Sequence, residues 1–334
     1  MFQAPNEDAA GILVIDSGIT ANHPMLEHCV GGEENFQSGE RETQDTVGHG
    51  TAVAGCAVYG DVETRLREKA FIPSNWLFSA KVMYVEKNQD GEILQAAYSE
   101  KLVEHQLKDA VESFLSNPEY HIRVVNISLG NPNEVWHKHY SRQKPLAALI
   151  DELAFTFPHV VFVVSTGNQS PLNFYDSVSE VVENYPRYLI DNEGFNIINP
   201  SSAALALTVG SIAGQTRFEK DRYGRPEQIK TPIAQPHQPS PFTRTGCGIN
   251  GMVKPELVEY GGNLILSEQY GRITEDTGGK LALLNNKVTD DILQFDIGTS
   301  FAAPKVAHLV GKIANHFPDK SANFIKNMLL VGAD

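Results

Sequence analysis

Short apolar runs alternate along the chain with segments whose apolar residues recur at helical spacing. The runs lie at residues 11–15, 79–85, 122–127, 160–164 and 203–209. Runs of this length predict strands that are buried on both faces. The clearest helical pattern lies within residues 92–115, and a second covers residues 145–155. Buried strands that alternate with helices predict an α/β fold with a mostly parallel sheet.

One polar stretch interrupts this alternation. Residues 215–241 carry prolines at positions 226, 232, 236, 239 and 241. A polar segment rich in proline favours a long surface loop, although a plain linker between two domains would have the same composition. No second core-forming segment clearly follows it. We therefore expect one domain over residues 1–334 that carries this segment as a loop insertion.

Composition narrows the classes of function. The 334 residues are 41% hydrophobic and 20% charged, which fits a packed globular core. The 27 Lys and Arg against 41 Asp and Glu give a net charge of −14, which disfavours nucleic acid or an anionic membrane as a partner. No apolar run approaches the ~20 residues of a membrane helix. The three scattered cysteines and the polar N-terminus lead us to expect a soluble, cytoplasmic protein.

Two motifs near the N-terminus carry candidate chemistry. Asp16 follows the first predicted strand, where open α/β sheets place their reactive groups. An aspartate that caps a turn would look the same. His49 stands between two glycines at the start of a helix of small residues, which leaves room for another backbone beside the imidazole. A structural histidine remains the alternative.

The third motif lies near the C-terminus. Ser300 occurs in Gly-Thr-Ser-Phe-Ala-Ala-Pro at the predicted start of an apolar helix. We expect Pro304 in the first turn of this helix, where proline is tolerated. A helix N-terminus favours developing negative charge, whereas the plainer interpretation of Ser300 is an N-cap.

Together the motifs resemble those of the subtilisin-like serine peptidases, the subtilase family, in which Asp, His and Ser occur in this chain order. Asn-Ile-Ser-Leu-Gly at 126–130 is similar to the substrate-binding strand of the family. Ser-Thr-Gly-Asn at 165–168 is similar to the segment that supplies the oxyanion-hole asparagine. The resemblance covers residues 11 to about 330. It implies a three-layer α/β sandwich with a mostly parallel central sheet and helices on both faces.

The resemblance also implies a role for each residue. Ser300 is the nucleophile that forms an acyl-enzyme, and His49 is the general base that later returns the proton. Asp16 holds the imidazole in the required tautomer. The Asn168 side chain and the Ser300 N–H stabilise the oxyanion, although Asn168 could also be a turn residue after Gly167.

Ser128, Leu129 and Gly130 are the expected substrate-binding residues. An extended peptide would add to their strand edge by main-chain hydrogen bonds, and Gly130 would leave room for the residue next to the cleaved bond. An ordinary strand end is the alternative. We expect no cofactor and no metal, because the calcium-binding loop of secreted subtilases is not apparent near residues 59–65.

The sequence departs from the family in several places. Ala52 and Phe301 stand where His and Met are frequent, and Lys305 stands where His is frequent. We expect Lys305 on the helix surface. The chain between Asn168 and Ser300 is long, and we place the excess in loop insertions at 171–199 and 215–241.

The few residues before Asp16 do not match the propeptide of secreted subtilases. This leaves open an intracellular lineage or a catalytic domain of a longer protein, with further domains or a regulatory protein partner. The expected function is a serine endopeptidase that cleaves a protein or peptide substrate. The alternative is a catalytically silent peptide-binding module with the same fold.

Overall fold

The computed structural model describes residues 3–37, 41–87, 93–98, 102–216, 230–267, 270–274, 276–289 and 291–333. The strands of these residues are β1 (Gly11–Asp16), β2 (Val30–Asn35), β3 (Trp76–Lys81), β4 (Met83–Lys87), β5 (Ile93–Tyr98), β6 (Ile122–Ile127), β7 (Asn131–Val135), β8 (Val161–Ser165), β9 (Ile198–Asn199), β10 (Leu207–Ile212), β11 (Lys230–Pro232), β12 (Gly246–Cys247), β13 (Val253–Lys254), β14 (Leu257–Tyr260), β15 (Ile265–Ser267), β16 (Arg272–Thr274), β17 (Leu281–Leu284) and β18 (Leu293–Asp296).

A parallel sheet of seven strands forms the centre of the fold. Its spatial order is β14-β10-β8-β6-β1-β3-β2, and all neighbouring strands are parallel. After β1 the chain builds the sheet outward on one side with β2 and β3. It then crosses to the other side with β6 and continues through β8, β10 and β14. The switch of direction therefore lies at β1 and β6, and open α/β sheets bind ligands beyond the carboxyl ends of strands at such a point.

Helices cover both faces of this sheet. The helices of the described residues are α1 (His49–Tyr59), α2 (Val62–Glu68), α3 (Val103–Leu115), α4 (Pro145–Thr156), α5 (Val178–Asn184), α6 (Tyr188–Asp191), α7 (Thr299–His316) and α8 (Ala322–Val331). Helices α1, α7 and α8 bury their apolar residues in one hydrophobic core against the sheet. Helices α3 and α4 contribute to a second core on the opposite face.

Successive side chains along a central strand enter the two cores alternately. Ile12 and Val14 point into the core with α1 and α7, whereas Leu13 and Ile15 point into the core with α3 and α4. Successive side chains of a strand face opposite sides, so a strand with helices on both sides is apolar at every position. The expected three-layer α/β sandwich is therefore confirmed.

The boundaries of individual strands and helices match the prediction less closely than the layer arrangement does. Residues 122–127 form β6 as predicted, and the helix predicted at 145–155 is α4. The apolar run at 79–85 instead spans the end of β3 and the start of β4. The run at 203–209 begins before β10, because its first residues form a turn. Residues 93–98 are strand β5, so the predicted helix within 92–115 starts only at Val103; residue 92 lies outside the described residues.

Two expectations for helix α7 were wrong. Lys305 is buried rather than on the surface, and its Nζ donates to the carbonyl of Tyr260 at 2.9 Å. A lysine can be buried in this way because its ammonium finds an acceptor while its aliphatic chain packs against apolar groups. Pro304 lies beyond the first turn, because α7 already begins at Thr299. At this position Pro304 leaves the carbonyl of Ser300 without its helical N–H partner.

The two segments predicted as loop insertions contain short elements of their own. Residues 171–199 include α5 and α6, and they bury Val181, Tyr188 and Phe195 in a small separate cluster. In residues 215–241 the structure describes β11 and the chain that follows it, whereas 217–229 lie outside the described residues. That these segments are insertions, and that residues 1–334 are one domain, stays a prediction.

Candidate active site

The predicted site residues meet at the carboxyl edge of the central sheet. Asp16 is the last residue of β1, Ser128 follows β6, and Asn168 lies shortly after β8. His49 and Ser300 lie in the first turns of α1 and α7. Parallel strands that end at one edge, together with helices that begin there, bring five distant positions of the sequence into one cleft.

Asp16 and His49 form the central ion pair of this cleft. Asp16 is buried, and its Oδ1 accepts hydrogen bonds from His49 Nδ1 and from the Ser17 N–H, both at 2.8 Å. Its Oδ2 is buried and has no hydrogen-bond partner among the described residues. The His49 side chain is 30% exposed, so part of the imidazole is open to solvent.

Burial lowers the pKa of His49, but the charge and hydrogen bond of Asp16 and the charges of Asp45 and Asp296 outweigh it and raise the pKa to about 9. The carboxylates thus stabilise the imidazolium. This is the form that a general base adopts once it has taken a proton.

Two glycines allow helix α1 to begin here. Gly48 has a φ of 97°, which L side chains rarely adopt. A Cβ on Gly50 would lie 2.0 Å from the carbonyl oxygen of Gly18, so only glycine lets α1 approach the turn after β1 this closely. The glycines around His49 are therefore required by backbone geometry and close approach.

Asp45 anchors the segment that carries His49. It is buried, and its carboxylate accepts from two hydroxyls and three backbone N–H groups: Ser17 Oγ, Thr51 Oγ1, and the N–H groups of Val47, Gly48 and Thr51. Ser17 Oγ in turn accepts from the N–H of Gly50 at 3.0 Å. Our sequence analysis missed Asp45, although a carboxylate shortly before a helix that lacks a side-chain N-cap is a readable signal.

Ser300 is joined to Ser128 by two hydrogen bonds. Ser300 Oγ donates to the carbonyl of Ser128 at 3.2 Å, and Ser128 Oγ donates to the carbonyl of Ser300 at 3.0 Å. Pro304 explains the second bond. In a helix the carbonyl of residue 300 would accept from the N–H of residue 304, which proline lacks. The carbonyl is therefore free for Ser128.

Ser300 and His49 belong to the same cleft without a direct hydrogen bond in the described structure. The ring of Phe301, the residue after Ser300, packs against the imidazole with 5.6 Å between the ring centroids. Helices α1 and α7 also share one hydrophobic core. Hydrogen bonds between catalytic groups are often long without substrate and tighten when it binds.

Asn168 presents its amide N–H groups toward this cleft. Its Oδ1 accepts from the backbone N–H of Thr299 at 2.9 Å and from Thr299 Oγ1 at 3.1 Å. A backbone N–H can only donate, which fixes the oxygen on that side and turns Nδ2 the other way. Nδ2 lies near Gly298, where a Cβ would be 3.1 Å away. Neither Nδ2 nor the N–H of Ser300 donates to a described residue.

Arg244 supports the segment around Asn168 from behind. Its guanidinium is buried and donates to neutral oxygens: the carbonyls of Asn168, Gly194 and Asn196, and Gln169 Oε1. Burial lowers the pKa of Arg244 to about 10. The sequence carries no signal for this role, because the arginine follows the proline-rich stretch and is far from Asn168 in the chain.

The segment Ser128–Leu129–Gly130 offers an open backbone edge. Within the described part of the chain, the N–H and C=O groups of Leu129 and Gly130 form no hydrogen bonds with protein. Asn126 Nδ2 donates to Ser128 Oγ at 3.0 Å and so orients the segment. Unpaired backbone groups at a strand end can pair with an extended peptide.

Metal-binding and membrane-spanning features were also sought in the described residues. There, no three or more His, Cys, Asp and Glu side chains are grouped so that they could hold a metal ion. None of the helices described has the length and apolar character needed to cross a bilayer.

The fold and the cleft define a protein of the subtilisin-like class. The model of the subtilase family matches residues 8–334, and the chain therefore belongs to the subtilase family.

A curated relative from Sinorhizobium fredii, the uncharacterized protein y4bN, is 34% identical over 233 residues. The match covers 69% of this chain and 52% of that protein, so the chain spans about half the length of this relative.

Solved structures share the fold at low sequence identity. A crystal structure of a lanthipeptide protease has a TM-score of 0.58 at 18% identity and covers 97% of this chain and 80% of its own. A cold-adapted subtilisin-like serine proteinase has a TM-score of 0.54 at 15% identity and covers 98% of this chain and 84% of its own.

The first prediction concerns the protonation of His49. Because Asp16 contributes both charge and a hydrogen bond, Asp16→Asn should lower the pKa of His49 from about 9. The pKa can be followed by NMR titration of the ring, with the signal assigned from a His49→Gln spectrum. Asp296→Asn is the control, because the exposed Asp296 is screened by solvent and should change the pKa less. An unchanged pKa in Asp16→Asn would contradict the prediction.

The second prediction concerns Arg244. Arg244→Met should lower the free energy of unfolding by about 3 kcal/mol, because buried carbonyl groups lose their donors. Urea unfolding followed by circular dichroism measures this change. Arg67→Met is the matched control, since Arg67 is half exposed and pairs with Glu63 on the surface, where such pairs contribute about 0–1 kcal/mol. Equal effects of the two substitutions would refute the assigned role.

Proposed function

We propose that this chain is a serine endopeptidase that hydrolyses peptide bonds of a protein or peptide substrate through an acyl-enzyme. Membership of the subtilase family and the subtilisin-like fold support peptidase chemistry. The observation that carries the proposal is the Asp16–His49 pair, with a buried carboxylate on Nδ1 and an exposed face of the imidazole beside the Ser300 turn.

In the first step Ser300 Oγ attacks the peptide carbonyl while neutral His49 takes its proton. Because the pKa of His49 is raised to about 9, the neutral fraction of the imidazole grows as the pH rises toward that value. The Ser300 hydroxyl leaves its hydrogen bond to the Ser128 carbonyl and turns to the imidazole. Asp16 stabilises the imidazolium that forms. His49 then gives the proton to the leaving amine, and a water molecule repeats the sequence to release the acid.

The oxyanion of the tetrahedral intermediate is bound by two donors. Asn168 Nδ2 and the Ser300 N–H both lack protein acceptors among the described residues, and both lie at the N-terminus of α7. Donors that are already oriented toward developing charge need no reorganisation during the reaction. The bond from Thr299 to Asn168 Oδ1 supplies this orientation.

The decisive experiment is labelling by a fluorophosphonate, which reacts with an activated serine. The wild-type chain should become labelled, whereas Ser300→Ala should not. Ser113→Ala is the control, because its hydroxyl lies on the exposed surface of α3 and plays no part in the proposed mechanism. A folded wild-type chain that is not labelled would instead favour a catalytically silent peptide-binding module.

A further prediction separates two functions of Asn168. Asn168→Asp retains an oxygen that can accept from Thr299 but replaces the Nδ2 donor by a second oxygen. We expect kcat to fall by about 10²–10³, the usual loss for one oxyanion-hole donor. Circular dichroism should show a fold like that of the wild type. Undiminished kcat in Asn168→Asp would exclude Nδ2 as an oxyanion donor.

A further inference from the structure

The side chain of Ile198 lies between Gly130 and Gly167, which belong to the two backbone segments beside Ser300, the proposed nucleophile. A Cβ built on Gly130 would lie 3.0 Å from Ile198 Cδ1, and a Cβ built on Gly167 would lie 2.6 Å from the same atom. The terminal methyl group of Ile198 therefore contacts both glycines. Ile198 is buried, so this space is closed to solvent.

Pairing between short strands holds Ile198 in this place. Strand β7, which continues from Gly130, is antiparallel to β9, with Asn131 opposite Asn199 and Val135 opposite Ile198. On the other side, Gly167 has a φ of 87° and donates its N–H to Thr299 Oγ1 at 3.1 Å. Strand pairing thus holds Ile198, and the hydrogen bond to Thr299 holds the wall that Gly167 forms.

The geometry of acylation directs a substrate side chain into this space. In the acyl-enzyme the substrate carbon is bonded to Ser300 Oγ, and its oxygen faces Asn168 Nδ2. The peptide that precedes this carbon pairs with the open edge at Leu129 and Gly130. The side chain of the acylated residue must then point between Gly130 and Gly167, where Ile198 lies.

We propose that Ile198 fills the recess for the acylated residue and restricts cleavage to peptide bonds that follow a small residue, namely glycine, alanine or serine. This inference rests on the proposed function and adds its substrate class. A larger side chain would have to displace a methyl group that touches both walls. Closely packed interiors resist such displacement.

A library of peptides that vary only in the residue before the cleaved bond tests the proposal. Wild type should cleave after alanine with a kcat/KM at least about 10-fold above that for leucine or phenylalanine, since one methylene group in such a recess changes rates by about 10–200-fold. Ile198→Ala should reduce or reverse this ratio. Ile198→Val removes only Cδ1 and should give an intermediate ratio, and this small change keeps the test valid if the alanine variant fails to fold.

Ile265→Ala is the matched control, because Ile265 is an equally buried isoleucine of a short strand away from the cleft. Its ratio should equal that of wild type. Fluorophosphonate labelling is measured for every variant, because it reports serine chemistry without a side chain in the recess. Labelled wild type that prefers large residues, or labelled variants with unchanged ratios, would overturn the role of Ile198 alone. Unlabelled wild type would overturn the proposed function and this inference with it.

Discussion

The two hydrogen bonds between Ser128 and Ser300 join the parts of the structure on which the cleft depends. One partner follows β6 in the central sheet, and the other begins the long helix α7. The bond from Ser128 Oγ forms because Pro304 cannot donate to the Ser300 carbonyl, which is then available to a side chain next to the sheet. A missing backbone donor inside helix α7 thus helps to hold the start of this helix against the end of β6. With any other residue at position 304, the Ser300 carbonyl would accept a hydrogen bond from the N–H within the helix.

Two buried charged groups near the cleft, Asp45 and Arg244, follow one pattern: each forms its hydrogen bonds with neutral partners. Asp45 accepts five hydrogen bonds without a cationic partner in hydrogen-bond contact, and Arg244 donates to carbonyl and amide oxygens. Such arrangements satisfy a charge by orienting many backbone dipoles at once. They define the path of irregular segments that no sheet or helix holds. The loops before His49 and around Asn168 are therefore held in place by side-chain hydrogen bonds.

The sequence was informative where chemistry or periodicity requires particular residues. The strand at 122–127, the helix at 145–155 and the three-layer arrangement followed from apolar patterns and from the resemblance. The sequence also placed Asp16 at the end of the first strand and His49 at the start of a helix, where the structure has them. Periodicity could not reveal that the run at 79–85 is divided between β3 and β4, because Val82, which separates the two strands, is itself apolar.

Long-range polar contacts were not predictable in the same way. The burial of Lys305 depends on the carbonyl of Tyr260, which is distant in the chain, and no local pattern indicates that acceptor. Arg244 and Asn168, which are joined by a hydrogen bond, are likewise far apart in the sequence. The contact of Ile198 with Gly130 and Gly167 depends on the pairing of two very short strands. Such contacts arise from tertiary geometry. The expectation that Lys305 lies on the helix surface used only its local position in the helix and could not include them.

The order of the cleft residues along the chain has a consequence for biosynthesis. The carboxylate of Asp16 and the imidazole of His49 are made early, whereas Ser300 arrives with α7, which packs into the same core as α1. The ribosome therefore synthesises His49, the proposed base, long before Ser300, the proposed nucleophile. The hydrogen-bonded pair of Asp16 and His49 can therefore form in the nascent chain before the proposed nucleophile has been added.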